Sequence, residues 1–275
     1  MRVRWLGWAG LEVTTDAGDV VVVDPLEDAA AVFAPLGPSA ERIHPPDVVA
    51  PIVRGQAVAG LVTHLHRDHA DAAALTQALA SGAPVLGPPA PGGGDAENLA
   101  LAQAMRELSA AGLEPQPSEP WSSRTLGSFK LTALPAVDGT GDPQVSWLIE
   151  ADGQRVLHLG DTMLHGHWWR MAHRHGAFDL VAVPVNGARL NFPHRQPATN
   201  QPGVLDPEQA AAATAALGAG VAMPIHFGGY ELPNVYEPVP DAARRFAAAA
   251  SSGVTVRQLS VGEELDLAAT DRKVA

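Results

Sequence analysis

Residues 64–69 read His-Leu-His-Arg-Asp-His and follow the mostly apolar run Ala57-Val58-Ala59-Gly60-Leu61-Val62-Thr63. Four potential metal ligands within six positions constrain the fold more than any other stretch of the chain. The apolar run fits a buried strand, and the helix-like Asp71-Ala-Ala-Ala-Leu-Thr-Gln-Ala-Leu that follows would hold the ligands on a rigid edge. On an extended segment the period of two places His64, His66 and Asp68 on one side, while His69 starts the turn away. Three imidazoles and a carboxylate in one partly buried place need a compensating charge. Imidazole with carboxylate suits zinc, manganese or iron better than calcium or magnesium. The bland alternative is a solvated polar turn.

This run resembles the His-x-His-x-Asp-His signature of the metallo-β-lactamase superfamily of hydrolases. Trp5-Leu6-Gly7-Trp8-Ala9-Gly10-Leu11, then Val20 to Val23 and Asp24-Pro25, is similar to the opening hairpin and Asp-Pro turn of the ascorbate-phosphate-lactonase-like branch. Matches at Leu159-Gly160-Asp161-Thr162 and Pro224-Ile225-His226-Phe227 extend the resemblance over nearly the whole chain. It implies that His64 and His66 bind one metal, that Asp68, His69 and His226 bind a second, and that Asp161 bridges both. The expected cofactor is Zn2+, two ions per chain, with Mn2+ or Fe2+ as alternatives. Two positions depart from the pattern. The family usually has a third His after the strand ending in Leu134-Pro135-Ala136, where this chain has Val137-Asp138-Gly139. Asp138 either substitutes as an oxygen ligand or is a turn residue. Trp8 stands where many relatives have His.

The implied chemistry needs no nucleophilic side chain. Two divalent ions bind a water between them and present hydroxide to an ester, lactone or phosphoester bond of a small-molecule substrate. Asp68 is a candidate proton acceptor. Donors to the leaving oxygen are sought among His165, His167, Asn186, Asn191, His194 and Tyr230, with His194 and His165 foremost and a solvated loop residue as the competing reading of each. Thiolate-containing β-lactamases carry Cys where Asp161 stands, so lactam cleavage is disfavoured. Arg189 and Arg195 suffice for one phosphate without proving one. The competing function is a non-catalytic metal-binding or ligand-sensing protein of the same fold.

Charge narrows the partners. With 18 Lys+Arg against 30 Asp+Glu, a formal charge of -12 repels nucleic acid and anionic lipid. The absence of cysteine leaves metal binding to histidine and carboxylate. No stretch approaches the roughly 20 apolar residues that span a bilayer, and the opening residues run straight into a strand pattern, so a cytoplasmic protein is expected. The sequence carries no signal for an oligomeric state.

Along the chain, residues 3–5, 11–14 and 20–23 predict a strand meander, and 26–54, rich in Pro and Ala, either a lid or a surface excursion. Helices are predicted near 71–80, 96–111 (N-cap Asp95), 206–217 and 239–250, and strands at 84–86, 128–136, 145–150, 154–159, 179–184, 220–224 and 254–258, followed by a charged tail. Residues 163–203 are read as loops around one buried strand. Helices alternating with two sets of strands argue for two packed sheets with helices outside. The expectation is a single α/β domain spanning residues 1–275, a four-layer αββα sandwich, as the resemblance also implies.

Overall fold

The computed structural model describes residues 1–29, 32, 49–94, 98–193 and 195–270. The opening meander is β1 (Arg2–Gly7), β2 (Gly10–Thr14) and β3 (Val20–Val23), followed by β4 (Ala57–Leu61), β5 (Val85–Gly87) and β6 (Gln116–Pro117). Next come β7 (Ser123–Leu126), β8 (Phe129–Pro135), β9 (Val145–Ala151), β10 (Gln154–His158) and β11 (Phe178–Pro184). The remaining strands are β12 (Arg189–Leu190), β13 (Ala219–Ile225), β14 (Tyr236–Glu237), β15 (Thr255–Val256) and β16 (Glu264–Asp266). They form a seven-stranded sheet in the order β16-β1-β2-β3-β4-β5-β6, a second in the order β15-β13-β11-β10-β9-β8-β7, and a separate pair, β12-β14.

Three apolar clusters show why these sheets stack in four layers. In β3, Val21 and Val23 join the cluster between the sheets, while Val22 faces outward into a cluster with Ala74, Leu75 and Leu101. These last residues lie on helices α1 (Ala72–Ala78) and α2 (Leu99–Ala110). The second sheet divides in the same way: Leu180 and Ala182 face inward, while Val181 and Val183 face Trp168, Met171, Ala210 and Phe246. These outer residues lie on α3 (Trp168–His175), α4 (Pro207–Leu217) and α5 (Ala242–Ala249). Strands with both faces buried read as the near-continuous apolar runs seen in the sequence. The architecture is the expected αββα sandwich.

Most of the expected elements are found within a residue or two of their predicted ends. Asp71 caps α1 through the Ala73 and Ala74 N–H groups, and Asp206 and Gln209 form a capping box on α4. Asp152 and Gly153, both at positive φ, make the tight turn between β9 and β10. The expected N-cap Asp95 and most of segment 26–54 lie outside the described residues. Two expectations are corrected. Residues 163–176 are not all loop, since α3 occupies Trp168–His175. The strand before the His cluster also does not continue through it. β4 ends at Leu61, and the chain turns so that the His69 and Ala70 N–H groups both donate to the His66 carbonyl, at 3.0 and 2.9 Å. The ligands are therefore presented by a turn, which sends His64 and His66 one way and Asp68 and His69 another.

Candidate metal centre

Every cluster residue sits just past the end of a strand: Asp24 after β3, His64 to His69 after β4, Asp138 after β8, Asp161 after β10 and His226 after β13. β3 and β4 run parallel, as do β10, β11 and β13, so these ends gather on one edge of the sandwich, where open α/β sheets place their ligands. The backbone there takes conformations that side chains seldom adopt, with positive φ at Trp8, Asp24 and His226 as well as at Gly160. A hydrogen bond of 2.9 Å from the His226 N–H to the Trp8 carbonyl ties two of these positions across the gap between the sheets. Strain concentrated in this way is characteristic of functional sites.

Two groups of metal-ligating atoms result. His64, His66, Asp138 and Asp161 offer one set, and Asp68, His69 and His226 another, with the atoms of each set within 4.8 Å of one another. Asp161 faces both: its Oδ1 lies 3.3 Å from His64 Nε2 and its Oδ2 3.9 Å from His226 Nε2. With its amide turned to satisfy its neighbours, Gln144 donates to Asp161 Oδ1 at 2.7 Å. Asp138 serves two ends at once. Its Oδ1 accepts from Thr140 N, Thr140 Oγ1 and Asp142 N at 2.7, 2.6 and 3.2 Å, closing a turn, and its other oxygen is left for the cluster. The alternatives of ligand and turn residue are thus compatible in a single side chain.

Hydrogen bonds select the nitrogen that each imidazole leaves open. Asp24, fully buried, accepts from Thr63 N and Thr63 Oγ1 at 2.8 and 2.6 Å and from His69 Nδ1 at 2.8 Å, which leaves His69 Nε2 buried with no partner. Since the Thr63 hydroxyl hydrogen goes to Asp24, its oxygen accepts from His64 Nδ1 at 3.0 Å and leaves His64 Nε2 as the lone-pair donor. His66 donates from Nε2 to Asp142 at 2.9 Å, leaving Nδ1, which lies 2.9 Å from His64 Nε2. Both ring nitrogens of His226 are buried without a partner. Carboxylates and hydroxyls behind metal-binding imidazoles fix tautomer and orientation in this manner. The buried, unpartnered nitrogens of His69 and His226 beside Asp68, and the facing nitrogens of His64 and His66 beside Asp138 and Asp161, fit a divalent cation in each group.

The electrostatics show the same unmet demand for positive charge. Burial and the neighbouring imidazoles of His69 and His66 hold His64 well below its usual range. Burial also depresses His66, but the Asp142 hydrogen bond and the carboxylates of Asp138 and Asp161 outweigh it and carry the group to about 9. His69 is similarly buried, and Asp68 and Asp24 raise it to about 10. Burial lifts Asp161 to about 7 and lowers His226 to about 4. Asp68 is buried too, yet His69 and His226 hold it far below the usual carboxylate range. Protons on two imidazoles thus balance carboxylates that a cation would otherwise neutralise.

A cavity of about 300 Å3 opens onto both groups, reaching His66, Asp68, Asp138, Asp161 and His226. Val32, Leu190, Phe192 and Val204 supply apolar walls, and Tyr236 borders it as well. Arg67 and Arg195 are at its rim with their charges already engaged. Arg67 pairs with Glu107 at 3.2 Å, and Arg195 with Asp142 at 3.2 Å while also donating to the Thr140 carbonyl.

None of the expected donors that the structure describes lines this cavity. His165 is not among the residues lining this cavity; it stacks on Trp168 with ring centroids 3.7 Å apart, and burial beside His167 lowers it to about 4. His194 lies outside the described residues. His167 precedes α3, Asn191 donates to the Asn234 carbonyl at 2.9 Å, Tyr230 is buried and Arg189 is exposed on β12. Asn186 is 2% exposed and donates to the Tyr236 hydroxyl at 2.7 Å. The sequence reading misses Asp142, Gln144 and Tyr236 around the site and the orienting roles of Asp24 and Thr63. Asp142 has a visible signal, the small-residue turn Asp138-Gly-Thr-Gly-Asp142. Trp8, a departure from the family pattern, has a definite role, since its indole N–H donates to Asp68 Oδ2 at 2.9 Å while its ring packs on His226.

Comparison with known proteins agrees with this geometry. Residues 20–227 match the family described as the β-lactamase superfamily domain. A UPF0173 metal-dependent hydrolase of Cupriavidus necator is 30% identical over 284 residues, covering 96% of this chain and 85% of the relative. Among solved structures, the isothiocyanate hydrolase from Delia radicum gut bacteria superposes with a TM-score of 0.62 at 17% identity, covering 97% of this chain and 99% of that one. CmlA, a diiron β-hydroxylase from Streptomyces venezuelae, gives a TM-score of 0.69 at 15% identity, covering 96% of this chain and 53% of CmlA. Likeness at that level concerns the fold alone. Among the described residues no helix is long and apolar enough to cross a membrane. With its signature residues collected at one sandwich edge, its imidazoles oriented for metal and its match running from β3 to just past β13, the chain belongs to the metallo-β-lactamase superfamily and is a metal-dependent hydrolase.

Proposed function

We propose that this hydrolase cleaves a carboxylic ester or lactone in a small molecule with an apolar portion, at a centre holding two zinc ions. The observation that carries this reading is the cavity: apolar side chains wall it, and both guanidinium groups at its rim are engaged by protein carboxylates or carbonyls. Beyond the cations themselves, the described lining residues offer no unpaired cationic side chain to hold a phosphate group, so the apolar walls favour a substrate whose bulk is neutral. His64, His66, Asp138 and Asp161 would hold one cation and Asp68, His69 and His226 the other, with Asp161 shared. When bound, such ions polarise an acyl oxygen and make a water acidic enough to attack at neutral pH.

The protein's own contribution is orientation and proton handling. Asp24, Thr63 and Asp142 fix the imidazoles, and Trp8 holds Asp68 by one oxygen. Asp68 Oδ1 is then the oxygen available to take a proton from the attacking water and return it to the departing alkoxide. The apolar walls orient the substrate and exclude bulk water. The test is metal analysis of the purified protein beside a panel of aryl and alkyl esters, lactones of increasing chain length and phosphodiesters. Two zinc ions per chain, with turnover of esters or lactones that improves with apolar chain length, support the proposal. Preference for phosphodiesters overturns the substrate class, and metal without any turnover favours the non-catalytic alternative.

A further inference from the structure

We infer that Tyr236 is a catalytic hydrogen-bond donor whose O–H is aimed into the cavity because Asn186 occupies its oxygen from behind. This rests on the hydrolase reading above and adds a residue to it. Tyr236 is on β14, paired with β12, where Leu190 lies directly opposite and forms part of the apolar wall. The pairing therefore sets the ring's position relative to the cavity's apolar wall. Its backbone N–H and carbonyl are both bonded to Leu232, at 2.8 and 2.9 Å, so β14 is held at its start.

The direction of the hydroxyl follows from the amide behind it. Asn186 Oδ1 accepts from the Ala188 N–H at 3.3 Å, which orients the amide with its NH2 group toward Tyr236. Asn186 Nδ2 then donates to the Tyr236 oxygen at 2.7 Å. The Asn186 carbonyl, accepting from Val239 N–H at 2.7 Å, anchors the residue further. A phenol that accepts a hydrogen bond from an amide cannot donate back to it, so its own hydrogen is left for another acceptor. Tyr236 borders the same cavity as Asp68, Asp161 and His226. A neutral donor there suits a substrate oxygen that gains negative charge as water adds to the acyl carbon, before the bond to the leaving oxygen breaks and that oxygen takes up the proton. No proton leaves Tyr236 in this scheme; the hydrogen bond shortens and then relaxes.

Tyr236→Phe removes the donor while keeping the ring. It should retain wild-type metal content and melting temperature, leave KM within about threefold and lower kcat roughly 100-fold, the scale of losing one oxyanion donor. A readout independent of turnover is calorimetric binding of phenylphosphonate to the metal-loaded protein, which should weaken about tenfold. Asn186→Asp tests the polarity argument: a carboxylate of the same shape accepts the phenol's hydrogen and turns it away from the cavity. That variant, Tyr236 intact, should reproduce both defects. Wild-type kcat and phosphonate affinity in Tyr236→Phe overturn the proposal, as does a folded, metal-loaded Asn186→Asp protein with neither defect. If Asn186→Asp does not fold, Tyr236→Phe decides alone. A wild-type protein that turns over no ester or lactone, yet binds phenylphosphonate in a Tyr236-dependent manner, sinks the substrate reading and leaves the donor in place.

Discussion

At the scale of single residues, the centre depends on carboxylates whose two oxygens do different work. Asp24 is the plainest case, since Oδ1 holds the Thr63 backbone and Oδ2 holds the Thr63 hydroxyl and the His69 ring. Asp24→Asn keeps the shape but cannot accept all three bonds. His69 then loses the acceptor that keeps its proton on Nδ1, and the second metal should bind roughly 10- to 100-fold more weakly, as measured by competition with a chromophoric chelator. Wild-type affinity in that variant would show that the tautomer is set elsewhere. Asp138 permits a cleaner separation. Asparagine preserves the Oδ1 acceptor that closes the 138–142 turn and removes the negative charge offered to the cluster, whereas alanine removes both. Asp138→Asn should reduce occupancy of the first metal with little change in melting temperature, and Asp138→Ala should lower both. Equal metal content in the parent and Asp138→Asn would leave this residue as a turn former only. Asp161→Ala should deplete both sites together, because its two oxygens face different groups.

At the scale of elements, what can be read from the sequence depends on length and period. The valines of β3 and the run Leu180 to Pro184 in β11 are long enough to declare themselves, and Asp71 and Asp206 mark helix starts with their own chemistry. β12 and β14 span two residues each, too few for any period, and they are defined by pairing with each other across some 45 intervening positions of chain. Tyr236 goes unseen with them. Helix α3 hides for another reason: its exposed face carries Trp169, Arg170, His173 and Arg174, and only Trp168 and Met171 are buried, so its apolar stripe is too narrow to stand out. The charged tail reads as an end, yet β16 pairs with β1 from Arg4–Glu264 to Arg2–Asp266 through backbone bonds that charge does not reveal. Leu265, 5% exposed within the inter-sheet cluster, is the apolar anchor of that strand. Leu265→Ala should cost about 3 kcal/mol, the usual penalty of a large-to-small change in a packed core, seen as a lower denaturant midpoint with metal content unchanged. A loss within about 0.5 kcal/mol, typical of surface sites, would show that β16 adds little to the sandwich.

At the scale of the whole molecule, the ligands come from both sheets. His64 to His69 follow β4 of the first, while Asp138, Asp161 and His226 follow β8, β10 and β13 of the second. Metal held by these residues would therefore tie the two sheets together at the open edge of the sandwich. The His signature is legible because its ligands are contiguous in sequence; the centre as a whole is not, because Asp142, Gln144 and Trp8 become neighbours only when the two sheets stack. A metal that binds the folded arrangement and not the dispersed ligands of the unfolded chain stabilises the protein by mass action, about 4 kcal/mol when free metal stands at a thousand times its dissociation constant. Dialysis against a strong chelator should consequently lower the melting temperature as well as abolish hydrolysis, with zinc or manganese restoring both. Because imidazoles bind metal only when deprotonated, the difference between loaded and metal-free protein should shrink as the pH falls from 8 to 6, the metal competing with protons for the same nitrogens. Calorimetry of the two forms across that range measures the effect. An unchanged melting temperature after verified removal of metal would mean that the sheets meet equally well without it, and that the strained residues at Trp8, Asp24 and His226 are held by packing and backbone hydrogen bonds alone.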